Sequence, residues 1–227
     1  MPLCDEALRD KALCIYHLLC AHYGEPILKE QRDPLSELVM TILSQNTNDV
    51  NSGRAFLALR ERFSNWETVM EADSADLAET IRVGGLANVK APRIQQILRR
   101  LKEERGALSL DFLSAMPIGD ARAYLLALPG VGPKTAACVL LFSLRKPALP
   151  VDTHVHRVSQ RLGLTPPVTV ERAHALLEAL IPTDLYYPFH LLLIEHGRSL
   201  CHARRPVCGE CPVGAWCDYL HMSRAAQ

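Results

Sequence analysis

The 227-residue sequence carries no excess of either charge, with 25 lysines and arginines against 25 aspartates and glutamates. Composition alone therefore gives no support for a polyanionic partner, and any nucleic-acid surface must be local. No apolar stretch approaches the ~20 residues that span a bilayer. The opening Met-Pro-Leu-Cys-Asp-Glu-Ala-Leu-Arg-Asp lacks the basic-then-apolar pattern of a secretory signal, so neither export nor a membrane is expected. There is no fixed-period repeat, no low-complexity segment and no Gly-, Ser- or Pro-rich linker between two halves. Aromatics are sparse at 6%, but 48% hydrophobic content supports a sizeable core in one large or two modest domains. The expectation is a cytoplasmic chain, where eight cysteines argue for metal or thiol chemistry rather than disulfides.

The apolar spacing is three-to-four almost throughout, and the fold expected is all-α. Leu8, Ala12, Ile15 and Leu19 line a first helix that ends near Tyr23-Gly24. Asp33-Pro34 caps a second, with Leu35, Leu38, Val39, Ile42 and Leu43 on one face, which stops at the polar run Ser44 to Asp49. A third carries Val50, Phe56, Leu59 and Phe63. Ser74 is read as the cap of a later short helix; the helix from Val89 presents Ile94, Ile97, Leu98 and Leu101 and ends at Gly106, and its charged stretch Arg93 to Arg105 is read as a solvated face rather than a binding stripe. Asp111 and Asp120 each precede short helices, and Asp184 opens a long one that delivers the chain to a cysteine-rich tail.

Cys4, Cys14, Cys20 and Cys138 are scattered and read as small buried hydrophobes. Cys201, Cys208, Cys211 and Cys217 are different. Four thiolates within 17 residues of a Gly- and Pro-containing loop can converge on one centre, and four cysteines suit tetrahedral zinc or a [4Fe–4S] cluster equally well.

The other landmark runs from Leu128 to Asp152. In Leu128-Pro129-Gly130-Val131-Gly132-Pro133-Lys134-Thr135, Gly130 and Gly132 are free to take φ > 0 and Pro133 suits a first helical position, so the string reads as a bare-backbone turn opening a helix. Its amides can face a phosphate. Lys134, in the first turn, feels a macrodipole that disfavours its charge and makes its amine the better nucleophile. Asp152 follows 18 residues on, within reach of folding back. Taken singly, a helix lysine is ordinarily solvated and an aspartate before Val155, Val158 and Leu162 is ordinarily an N-cap.

Taken together, Leu-Pro-Gly-Val-Gly-Pro-Lys-Thr-Ala and Val151-Asp152-Thr153-His154 closely resemble the helix-hairpin-helix and Gly/Pro-Asp loop of the endonuclease III family of DNA glycosylase/lyases. The C-x6-C-x2-C-x5-C tail is similar to that family's iron–sulfur pattern, and the likeness extends from about Pro34 to Tyr219. It implies a two-domain fold: a six-helix barrel over residues 27–146, and a cluster domain of residues 1–26 and 147–227. It also implies a [4Fe–4S] cluster on the four cysteines, and a monomer acting on double-stranded DNA with damaged bases or abasic sites, nucleoid-associated if bacterial.

By the same resemblance Lys134 is the nucleophile and Asp152 its partner, while Gly130, Gly132 and Thr135 meet phosphate and Arg204 and Arg205 supply charge from the cluster loop. The family fills the gap left by a flipped base with a loop glutamine and a leucine wedge. The wedge matches Leu86, although Ala87 stands where an aromatic residue commonly follows. Where the family commonly shows Ser-Ala-Gln-Ala-Thr-Asp, this chain has Ser44-Gln45-Asn46-Thr47-Asn48-Asp49, so the plug is Asn46 by alignment or Gln45 by residue type. His154 either lines the pocket or makes a structural hydrogen bond. Oxidised or saturated pyrimidines are the implied substrates. The alternatives are a mismatch thymine or uracil glycosylase and a non-catalytic iron–sulfur protein that clamps DNA.

Overall fold

A computed structural model describes residues 6–28 and 30–225; Cys4 lies outside them. Among the described residues the chain is helical with no strand, as the apolar period requires. Twelve α-helices follow in order: α1 (Glu6–Tyr23), α2 (Pro34–Leu43), α3 (Asp49–Arg62), α4 (Trp66–Glu71), α5 (Ser74–Thr80), α6 (Ala87–Arg105), α7 (Ile118–Leu126), α8 (Pro133–Cys138), α9 (Thr153–Arg161), α10 (Val170–Leu180), α11 (Tyr186–Ser199) and α12 (Asp218–Ala225). No helix among these residues is long and apolar enough to cross a membrane.

The chain divides into two compact units, Gln31–Lys146 and Met1–Glu30 with Pro147–Gln227. In the first unit α2 is the spine. Asp33 accepts the Ser36 amide at 2.8 Å to cap it, Pro34 fixes its first turn, and nine of its ten residues are buried, so this helix is enclosed on every side. Around it pack α3, α8 and α6, and α6 in turn holds α4 and α5. Gln95 fastens α4 by donating to the carbonyls of Val69 and Ala72 at 3.2 and 2.7 Å. The Asp111–Ala115 stretch is a 3-10 turn, with the Arg105 guanidinium 3.8 Å above the Phe112 ring. In the second unit α11 is central, with α9 and α1 against it.

Several expectations need correction. The N-cap of α5 is Asp73, which accepts the amides of Ala75 and Asp76, one residue before the serine expected. Val50 is 63% exposed because α3 turns Ser52, Ala55 and Leu59 inward instead. Asp120 lies inside the first turn of α7 rather than before it. Cys14 is exposed and Cys20 half-buried, since α1 presents Ala12, Ile15, Tyr16 and Leu19 to the core; of the three scattered cysteines among the described residues, Cys138 alone is buried as expected. Gly132 is extended at φ −96°, so Gly130 alone uses the left-handed region, at φ +70°. α12 was not anticipated; its Asp218 is paired with Lys11 of α1 at 2.6 Å.

Candidate active site and cluster loop

The hairpin turn is built from the Val131 amide bonding back to the Leu128 carbonyl at 3.2 Å, after which Gly132 caps α8 and Pro133 begins it. The first intrahelical bond runs from the Ala136 amide to the Gly132 carbonyl at 3.0 Å. The amides of Lys134 and Thr135 therefore precede the ladder and face away from it, as an anion site requires. Lys134 is half-buried at the second helical position, whereas Thr135 beside it is buried and has its hydroxyl turned to the protein. Beyond Cys138 the helix widens into a single π turn, Val139–Ser143, all of whose first three residues are buried.

Two loops of the same unit bear the expected plug and wedge. Asn46 is exposed with φ +54°, and Leu86 is 53% exposed with φ +51°; both hold left-handed backbone although neither is glycine. Beneath both loops lies Lys90 of α6, 1% exposed. Its Nζ donates to the Leu43 carbonyl at the end of α2, 2.7 Å, and to the Gly84 carbonyl before the wedge, 2.8 Å. Burial lowers its pKa from the ordinary lysine value. Arg93, one turn on and the first residue of the stretch read as a solvated face, instead donates to Gln45 Oε1 at 3.0 Å.

In the second unit Asp152 is the N-cap of α9, accepting the Val155 amide on Oδ1 at 2.8 Å. The N-cap reading and the functional one are compatible, because the cap fixes where the carboxylate stands. Leu149 and Pro150, three and two residues before it, are held too: Glu178 accepts the Leu149 amide at 3.0 Å, His174 bonds the Leu149 carbonyl at 3.1 Å, and His190 bonds the Pro150 carbonyl at 2.8 Å. His154 sits against Gly197 of α11, where Arg157 reaches both its Nδ1 (3.1 Å) and the Gly197 carbonyl (2.8 Å).

Cys201, Cys208, Cys211 and Cys217 line one pocket of about 370 Å³ including its mouth, together with Arg161 and His196. The lining carries four thiols and no carboxylate, a soft donor set that fits an iron–sulfur group. Burial above all, and then the neighbouring thiols, push the Cys211 and Cys217 thiols upward, so loading such a group must displace protons. Arg161 donates to Cys201 Sγ at 3.2 Å and to the His202 and Ala203 carbonyls at 2.7 and 3.1 Å, shaping the loop that exposes Arg204 and Arg205. His196, whose pKa burial lowers to about 4, is neutral; it joins Tyr23 of α1 on Nδ1 at 3.0 Å to Cys211 Sγ on Nε2 at 3.6 Å.

An all-helical chain with a hairpin presenting bare amides ahead of a lysine, and a four-cysteine loop beside exposed arginines, defines a class of DNA-handling iron–sulfur enzymes. The comparisons agree. The HhH-GPD superfamily of base excision DNA repair proteins matches residues 39–183, and the iron–sulfur binding domain of endonuclease III matches residues 201–217. Endonuclease III of Thermotoga maritima is 38% identical over 190 residues, spanning 84% of this chain and 85% of its own; that of Synechocystis is 36% identical over 198, spanning 86% and 85%. A non-covalent endonuclease III–DNA complex superposes with a TM-score of 0.80 at 28% identity, over 96% of this chain and 99% of that one. The chain belongs to the HhH-GPD superfamily and, within it, to the endonuclease III family of base excision repair DNA glycosylases.

Proposed function

We propose that the protein is a bifunctional DNA glycosylase and abasic-site lyase that removes oxidised or saturated pyrimidines from duplex DNA, acting as a cytoplasmic monomer. The observation that carries the reading is Lys134 in the first turn of α8, directly behind an amide-presenting turn at Gly130. The Lys134 amine attacks C1′ of an extruded nucleotide, and the N–C bond forms as the glycosidic bond breaks and the base leaves with the electron pair. Loss of one proton from the attached nitrogen and ring opening, with a proton taken up by O4′, give a protonated Schiff base; loss of a proton from C2′ into this electron sink then expels the 3′-phosphate by β-elimination. Asp152 stabilises positive charge at the sugar and assists deprotonation of the amine. Saturated pyrimidines stack poorly, so their extrusion costs less, which favours this substrate class.

The four cysteines hold a [4Fe–4S] cluster in this reading, and when bound it supplies a rigid, charged anchor for the loop bearing Arg204 and Arg205 against DNA phosphates. A second reading, a mismatch thymine or uracil glycosylase, is favoured by one feature: Ala87, half-buried beside Leu86, leaves room where the family commonly has an aromatic ring. Borohydride trapping on a duplex with one abasic site tests the lysine chemistry. We expect a covalent adduct with the wild type and none with Lys134→Gln at equal DNA binding. Binding without an adduct in either protein would leave only a DNA clamp. A panel of duplexes, each with one saturated pyrimidine, one oxidised pyrimidine or one G·T or G·U mismatch, decides between the two substrate readings.

A further inference from the structure

The loop between α2 and α3 offers two amide side chains, Gln45 and Asn46, and they are placed in opposite ways. The Gln45 amide is engaged at both ends. Its Nε2 donates to the Gly130 carbonyl at 3.3 Å and to Thr135 Oγ1 at 3.4 Å, and its Oε1 accepts Arg93 Nη1 at 3.0 Å. Its backbone amide closes the end of α2 on the Ile42 carbonyl at 3.2 Å. Asn46 instead is exposed, with the left-handed backbone that asparagine tolerates better than other residues bearing a side chain. For Gln45 to enter a duplex, three contacts, two to the hairpin and one to α6, must break; Asn46 is already turned outward.

The partners of Gln45 flank the nucleophile. Gly130 is four residues before Lys134 and Thr135 directly follows it. Arg93 closes the circuit by passing so near Gly130 that a Cβ there would overlap its guanidinium. The Gln45 side chain spans from the α2 end to the hairpin, and in the family's common Ser-Ala-Gln pattern this position is alanine, which has no such reach.

We propose that Gln45 is a positioning residue which locks the Ser44–Asn48 loop to the hairpin carrying Lys134, leaving Asn46 as the residue that fills the duplex. The inference rests on the DNA glycosylase reading above. It makes the state of the duplex-filling loop perceptible at the Gly130 carbonyl before the amine and at the Thr135 hydroxyl after it. Base extrusion and the attack on C1′ thereby share one rigid surface.

Hydrogen exchange on the DNA-free protein tests the lock without any need for activity. In Gln45→Ala, amides of residues 44–48 and 128–136 should exchange about tenfold faster, the equivalent of one or two lost hydrogen bonds, with α3 and α11 unchanged. Unchanged exchange in those peptides overturns the proposal. A duplex with 2-aminopurine opposite a saturated pyrimidine supplies the second arm. Asn46→Ala should lose the fluorescence rise on binding, whereas Gln45→Ala should keep it and slow single-turnover base release about tenfold. The reverse pattern overturns the assignment. Arg93→Met should reproduce the slowing and add nothing in the double variant; additive losses would show that no circuit exists. A wild type with normal exchange protection that releases no base from any duplex refutes the glycosylase reading and the duplex-filling role of Asn46 together, while leaving the lock measured.

Discussion

Replacing Lys90 by methionine removes a buried ammonium while keeping the bulk of its stem. Two carbonyls, of Leu43 and Gly84, lose donors at 2.7 and 2.8 Å. A hydrogen bond from a charged donor is worth about 1.5–3 kcal/mol, and the loss is partly offset because an ammonium no longer has to be held away from water. We expect a net loss of about 2–4 kcal/mol, and thus a melting temperature lower by about 5–12 °C for a chain of this size. Calorimetry measures it. The pH dependence has a definite sign. Because burial lowers the folded pKa of Lys90, the unfolded chain binds the extra proton between that lowered value and the ordinary 10.5, so folding gains stability as pH rises through this window. The gap between wild type and Lys90→Met should widen as pH rises toward that ordinary value. A melting temperature within about 1 °C of wild type would refute the account of Lys90 as a donor bridge between two loop ends, and a gap that narrows with pH would refute the lowered pKa.

Gly130→Ala meets both a φ of +70° and the Arg93 side chain, so it should cost about 1–3 kcal/mol in urea unfolding and displace the Gln45 contacts. Cys217→Ser should purify with little iron and sulfide and a weak visible absorption band, because the most buried of the four tail cysteines cannot be replaced by solvent; a fully coloured variant would remove it from the set. Glu178→Ala frees the Leu149 amide three residues before Asp152, and we expect base release to fall more than DNA affinity, read as kcat against KM.

Much of this was legible in the sequence because it depends on local rules. The caps at Asp33 and Asp152, the hairpin turn and the helices α1, α2 and α11 follow from residue type and period. The stretches that misled were those where tertiary packing chose among equal local options, as in the inward face of α3 and the exposure of Cys14. Lys90 was overlooked, yet it carried a signal: it lies four and seven residues before Ile94 and Ile97, on the apolar stripe of α6. Arg93, Arg161 and the His174, Glu178 and His190 group had no such signal. Each reaches a backbone carbonyl, amide or side chain between 25 and 48 residues away, and pairing at that range is invisible without coordinates.

Leu86 keeps a left-handed backbone that an unbranched-at-Cβ but bulky residue holds only at about 1–2 kcal/mol relative to glycine. The sturdiest version of this protein is therefore not the one it has. Glycine at that corner would be the more heat-resistant choice, at the loss of the exposed side chain that the resemblance matches to the wedge.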